Sequence, residues 1–174
     1  MKILLLGKNG QIGWELQRIL PSLGQVVALG RDRLDLADAK ALRRTVREVR
    51  PDIIVNAAAY TAVDRAEAEA AQAMAVNGIA PGILAEEAAR LKALLVHYST
   101  DYVFDGTGKT PYREEDRPNP LNVYGESKLA GEEAVRASGA PHLIFRTSWV
   151  YGLRGKNFLL TMLRLAREQE ELRI

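Results

Sequence analysis

Not one cysteine occurs in the 174 residues. Disulfides and thiolate chemistry are thereby excluded, and a reducing, cytoplasmic setting is expected. Of the two histidines, His97 and His142 each stand alone in an apolar run, with no ligand spacing around them, so no metal site is expected. No apolar run approaches the roughly 20 residues that a membrane span needs. The opening Lys2-Ile-Leu-Leu-Leu6 is too short for a secretory signal and runs directly into Gly7-Lys8-Asn9-Gly10. A net charge of +2 is too small to imply a nucleic-acid partner. The most basic stretch, from Arg43 to Arg50, carries Val46 and Val49 at helical spacing with Leu42 just before it, so its arginines read as the solvated face of an amphipathic helix.

What is present is ordinary globular material, 47% hydrophobic and 26% charged, enough for one domain that buries about two-thirds of its unfolded surface. Short apolar runs alternate with longer stretches of helical period. The runs predict strands at 2–6, 25–29, 52–57, 94–98 and 142–147, mostly continuous in their apolarity and so expected to be buried on both faces. The periodic stretches predict helices at 12–20, 38–49, 64–90, 122–137 and 157–168, with Asp38 as an N-cap and a bend or break at Pro81. This alternation implies an α/β fold, a Rossmann-like doubly wound parallel sheet with helices on both faces, as one domain over 1–174. Such sheets bind ligands beyond the carboxyl ends of their strands. Gly7, Ala57, Ser99 and Thr147 all stand at or just past such ends. The loop 104–121, with Asp105-Gly106, Gly108, Pro111, Pro118 and Pro120, is long enough to be functional or mobile.

Gly7, Gly10 and Gly13 punctuate the turn between the first strand and an amphipathic helix. Glycine permits a tight turn and lets backbone N–H groups approach a pyrophosphate, while the helix offers its positive end. Gly7, Asn9, Gly10, Gln11, Ile12 and Gly13 are therefore read as a dinucleotide cradle. At the end of the second strand an acidic residue would bind the adenosine ribose hydroxyls and repel a 2′-phosphate. Leu29-Gly30-Arg31-Asp32-Arg33 has glycine there and two arginines after it. That favours NADPH, with NADH as the alternative. Exposed turn arginines would also explain Arg31 and Arg33. Asp35 and Leu36 are placed to flank the adenine.

Tyr124 and Lys128 are four residues apart and share a helix face. An ammonium beside a phenol lowers its pKa and eases proton transfer. The same lysine can hold the nicotinamide ribose hydroxyls. As a carbonyl carbon takes a hydride, its oxygen gains negative charge, takes the phenolic proton and accepts a hydrogen bond from Thr100. Asn77 could support the lysine through water, or lie on a helix surface.

The blocks 7–16, 51–64, 97–106, 120–132 and 146–152 resemble the extended short-chain dehydrogenase/reductases, and within them the dTDP-4-dehydrorhamnose reductase family. The resemblance runs over essentially the whole chain. It implies that Thr100, Tyr124 and Lys128 form a catalytic trio. The implied reaction is NAD(P)H-dependent reduction of the C4 ketone of dTDP-4-dehydro-L-rhamnose to dTDP-L-rhamnose. It also implies that Ala57, Ala58 and Ala59 lie beside the cofactor and that Thr100, Tyr102 and Trp149 contact the dTDP-sugar. Core packing is the alternative for Trp149. A homodimer is compatible with this reading, with Glu15 beside Trp14 as a candidate contact and a solvated glutamate as the alternative.

Members of that family run to roughly 300 residues, with a C-terminal portion that covers the nucleotide-sugar. Most of that portion is expected to lie outside 1–174, with a further strand beginning at Glu171-Leu172-Arg173-Ile174. NADPH binding with poor turnover of the dTDP-sugar follows as an expectation. Two other readings stay open: a nucleotide-sugar epimerase or dehydratase that retains its cofactor, and a non-catalytic regulatory subunit of the methionine adenosyltransferase type.

Overall fold

The computed structural model describes residues 1–169 and 171; of the strand expected at 171–174, residues 172–174 lie outside the described residues. Five strands, β1 (Lys2–Leu6), β2 (Gln25–Leu29), β3 (Ile53–Asn56), β4 (Leu94–Thr100) and β5 (His142–Thr147), pair in parallel in the order β2-β1-β3-β4-β5. The chain begins in the interior at β1, adds β2 on one side, then returns to build β3, β4 and β5 on the other. That reversal opens a crevice beyond the carboxyl ends of β1 and β3.

Alternation along β1 explains why both faces are covered. Leu4 and Leu6, with Ile54 and Leu95, pack on Leu42 and Val46 of α2 (Ala39–Val49), Ile83 and Leu84 of α5 (Ala80–Leu91) and Val135 of α6 (Val123–Ala137). Ile3 and Leu5, with Val55, face the other way onto Leu16 of α1 (Gln11–Ile19). Each such side chain contributes roughly 1.5–3 kcal/mol when fully buried. The last helix, α7, spans Phe158–Glu168. Asp38 caps α2 as expected, accepting from the Lys40 and Ala41 N–H groups at 3.0 and 2.9 Å. Among the described residues no helix is long and apolar enough to cross a membrane.

Three expectations change. Burial on both faces holds for the central strands but not for the two edges: no residue of β2 is fully buried, and Leu143 and Phe145 of β5 are about half exposed. The basic stretch is only partly solvated. Arg47 grips Glu87 of α5 with two bonds of 2.8 and 2.6 Å, and Arg43 adds one of 3.2 Å. The helix expected over 64–90 is broken, but not at Pro81. It divides into α3 (Val63–Ala68), α4 (Ala70–Met74), a π-helical turn (Ala75–Ile79) and α5. Glu69 leaves helical geometry at φ −115°, ψ 37°. Pro81 sits in the first turn of α5, and the wide turn before it accommodates the ring and the missing donor.

Candidate active site

A cleft of about 1350 Å³ runs across the carboxyl ends of the strands. Its floor at one end is the glycine turn. Gly7 has φ +82°, and a Cβ there would lie 2.6 Å from the Ala58 nitrogen. A Cβ on Gly13 would run into the Gly7 carbonyl oxygen. The turn is closed by the Gly10 N–H donating to that same oxygen at 3.0 Å. α1 then starts with no side-chain cap and no acidic residue in its first turn. Its N-terminal N–H groups and positive dipole end are thus left available to an anion. Asn9, Gln11, Ile12 and the three alanines 57–59 line the same stretch of cleft.

At the adenosine end the two arginines part company. Arg31 lines the cleft beside Leu34, Asp35 and Leu36, and its guanidinium stands 3.5 Å from the Asp35 carboxylate with both groups well exposed. Arg33 is an exposed turn residue and does not line the cleft. The bare Gly30 leaves room for the Asn9 amide, whose nitrogen would stand 2.6 Å from a Cβ at that position.

The other end of the cleft is built by β4, β5 and α6. β4 runs two residues further than its apolar run indicates, so Thr100 closes the strand rather than following it. Its hydroxyl accepts from the Tyr102 N–H at 3.2 Å and donates to Asp101 at 3.1 Å. α6 starts at its cap Asn122, which accepts from the Gly125 N–H at 2.8 Å. This start sets Tyr124 and Lys128 on the buried face. Tyr102 packs edge-on against Tyr124, centroids 5.5 Å apart. Trp149, at φ +50°, is 75% exposed and meets Phe158 edge-on, so core packing is not its role; it lines the cleft.

Lys128 is only 2% exposed, and its ammonium donates to the Tyr98 carbonyl at 2.6 Å. Burial draws its pKa down to about 8, with Glu132 pushing the other way. The Tyr124 phenol does not show the lowering expected from a neighbouring lysine. Burial pushes it above the ordinary tyrosine value, against a smaller downward pull from Thr100. The phenol therefore keeps its proton at neutral pH, as a donor must. Behind the lysine lies His97, whose Nδ1 faces the Asn56 amide nitrogen at 3.1 Å. Burial, then the Lys128 charge, hold this imidazole well below the usual range, so it is neutral.

Asn77 does not lie on a helix surface. It is buried in the π-helical turn. Its side chain accepts from the Tyr60 N–H at 2.8 Å and donates to the Tyr60 carbonyl at 2.9 Å and the Ser127 hydroxyl at 3.1 Å. It ties the loop after β3 to the helix of Tyr124. Asn77→Ala leaves both Tyr60 backbone groups unpaired. We expect a loss of about 1–3 kcal/mol, read as a lower urea midpoint with unchanged slope.

Cleft residues to which the sequence assigned no role include Tyr60, Val76, Phe104, Asp105 and Tyr112. The last three order the long loop. Phe104 and Tyr112 stack at 4.1 Å, and Asp105 accepts from Thr107, Tyr112 and Asn119, which holds its carboxyl far below the usual range. The Asp-Gly turn in this loop was the available signal.

A family model described as RmlD substrate binding domain matches residues 1–174. The dTDP-4-dehydrorhamnose reductase of Burkholderia thailandensis is 59% identical over 174 residues, 100% of this chain and 58% of the relative. That of Shigella flexneri is 53% identical over 178 residues, 100% of this chain and 60% of the relative. The crystal structure of dTDP-4-dehydrorhamnose reductase from Bacillus anthracis in complex with NADP matches with a TM-score of 0.94 and 41% identity, over 98% of this chain and 61% of that one. The chain spans about 60% of the length of the curated relatives it matches.

Proposed function

Because the chain belongs to the RmlD substrate binding domain family, we propose that it binds NADPH and carries the groups that reduce the C4 ketone of dTDP-4-dehydro-L-rhamnose to dTDP-L-rhamnose. One observation supports this above the others. Thr100, Tyr124 and Lys128 line the same cleft as the uncapped glycine turn that fits a pyrophosphate.

In this reading Gly7, Asn9, Gly10, Gln11, Ile12 and Gly13 cradle the phosphates, and Ala57, Ala58 and Ala59 admit the cofactor close to the sheet. Leu36 and Asp35 border the adenine, and Arg31 meets the 2′-phosphate. When bound, the dihydronicotinamide supplies a hydride to the ketone carbon. Lys128 holds the ribose hydroxyls through the donors that Tyr98 does not take. Tyr124 gives its phenolic proton to the ketone oxygen, and the Thr100 hydroxyl donates to that oxygen as charge develops. Tyr102 and Trp149 present aromatic surface to the sugar. A cytoplasmic location and a homodimer belong to the same proposal, the latter checked by light scattering.

The deciding experiment titrates the chain with NADPH and follows NADPH absorbance on adding the ketosugar. Failure to bind NADPH refutes the proposal. Consumption of NADPH in step with sugar reduced separates it from an epimerase or dehydratase, which regenerates its cofactor. Arg31→Ala is expected to weaken NADPH binding about tenfold, through loss of a charge-assisted contact, and to leave NADH binding unchanged. Equal losses for both cofactors would remove Arg31 from the 2′-phosphate.

A further inference from the structure

The buried face of α6 carries, besides Lys128, a charge that the reaction above does not use, that of Glu132. Lys128 and Glu132 stand one helical turn apart, and both are shut off from solvent. From β5, Arg146 reaches the Glu132 carboxylate with two prongs, Nε to Oε1 at 3.0 Å and a terminal nitrogen to Oε2 at 2.8 Å. Arg136, one turn further along α6, adds a bond of 2.7 Å. Three cations thus share this seam with one carboxylate.

Among the described residues around Lys128, no carboxylate other than Glu132 raises it against burial. From β4 come the Tyr98 carbonyl, the Ser99 hydroxyl and the neutral His97. From β5 comes Arg146, and from α6 itself come Tyr124, Glu132 and Arg136. The π-helical turn contributes the amide of Asn77, already committed to Tyr60 and Ser127. Asp101, past the end of β4, is engaged by Ser148 and Thr100. A buried lysine without a counter-charge sheds its proton.

We infer that Glu132 is a positioning residue for Lys128: its buried carboxylate, pinned from β5 by Arg146, keeps the lysine in its charged form inside the cleft. The inference rests on the proposed role of Lys128 only for its consequence in cofactor binding. Glu132 is suited to the task because it stays ionised. Burial opposes its charge, but Arg146, the Ser99 hydroxyl and Arg136 together outweigh burial and hold it below the ordinary glutamate range. The same carboxylate is the group that raises Lys128 against burial.

A cluster that merely rivets β5 to α6 makes a different prediction, and the sign of a charge effect separates the two. Glu132→Gln removes the one anion and leaves Arg146 and Arg136 uncompensated beside the lysine. Arg146→Gln removes a cation and frees the carboxylate to act on the lysine more strongly. The ¹³Cε resonance of Lys128, assigned with Lys128→Arg, is titrated in the chain without cofactor. Its midpoint is expected near pH 8 in the unaltered chain. It falls by at least about one unit in Glu132→Gln and rises in Arg146→Gln. An unchanged midpoint in Glu132→Gln, or shifts of the same sign in both variants, overturns the inference. If Glu132→Gln does not fold, the double variant Glu132→Gln/Arg146→Gln is read against Arg146→Gln: a lower midpoint in the double variant supports the inference, and equal midpoints overturn it. NADPH affinity, measured in parallel, should fall as pH rises through each protein's own Lys128 midpoint. If NADPH does not bind at all, the proposed function fails while the resonance still decides the role of Glu132.

Discussion

Tyr124→Phe is expected to leave NADPH binding close to unchanged and to slow ketosugar reduction by about 10²- to 10⁴-fold. The substitution removes one oxygen and keeps the ring. That ring is held by Ala66, Ala73 and Tyr102, so its packing survives. The cradle and the Lys128 ammonium are untouched, which is why cofactor affinity should persist. What is lost is the proton that the new alkoxide needs. Thr100 can still donate a hydrogen bond to it, but its hydroxyl is too weak an acid to give up the proton. The check is a comparison of NADPH titration with single-turnover NADPH oxidation. A variant that reduces the sugar at nearly the original rate would show that the proton comes from elsewhere.

Gly13→Ala is expected to cost about 1–3 kcal/mol of stability and to weaken NADPH binding at least about 100-fold. In an ordinary helix this change would stabilise by about 0.8–1.0 kcal/mol. Here the methyl would collide with the Gly7 carbonyl oxygen, stand 2.7 Å from the Gly7 carbonyl carbon and 3.0 Å from the Lys8 Cα. All three are backbone atoms, so no side-chain rotation relieves the contact. Either α1 withdraws from β1 or the turn from Gly7 to Gly10 opens, and both displace the N–H groups that face the anion. The overlap therefore outweighs the propensity gain. Calorimetric titration and thermal melting measure the two effects together. Unaltered NADPH affinity would reduce the glycine turn to a plain connection between strand and helix.

The same two sites show what local pattern can carry. A glycine turn between strand and helix encodes its backbone demands in adjacent letters, so Gly7 and Gly13 were legible as they stand, while Gly10 has room for a side chain. Asp38 was legible as a cap because capping is a bond to groups two and three residues on. Pro81 was misread because the π-helical turn that absorbs it has no signature of its own. Edge exposure of Leu143 and Phe145 was missed because a continuous apolar run looks alike in a central and an outer strand.

Asn77 and Glu132 mark the limit more sharply. Asn77 meets Ser127 across 50 positions, Arg146 meets Glu132 across 14, and Asn157 meets Gln11 across 146. No periodicity relates such partners, so nothing in either residue's neighbours announces the bond. The amino-acid order by itself determined the alternating strands and helices, the glycine turn, and a tyrosine and lysine on one helical face, because each depends on groups within about a turn of one another. Only the tertiary structure decided which charges are buried together and what state they hold. Solvation and charge pairing depend on every element that packs around a group, and β4, β5 and α6 meet only once the chain has closed.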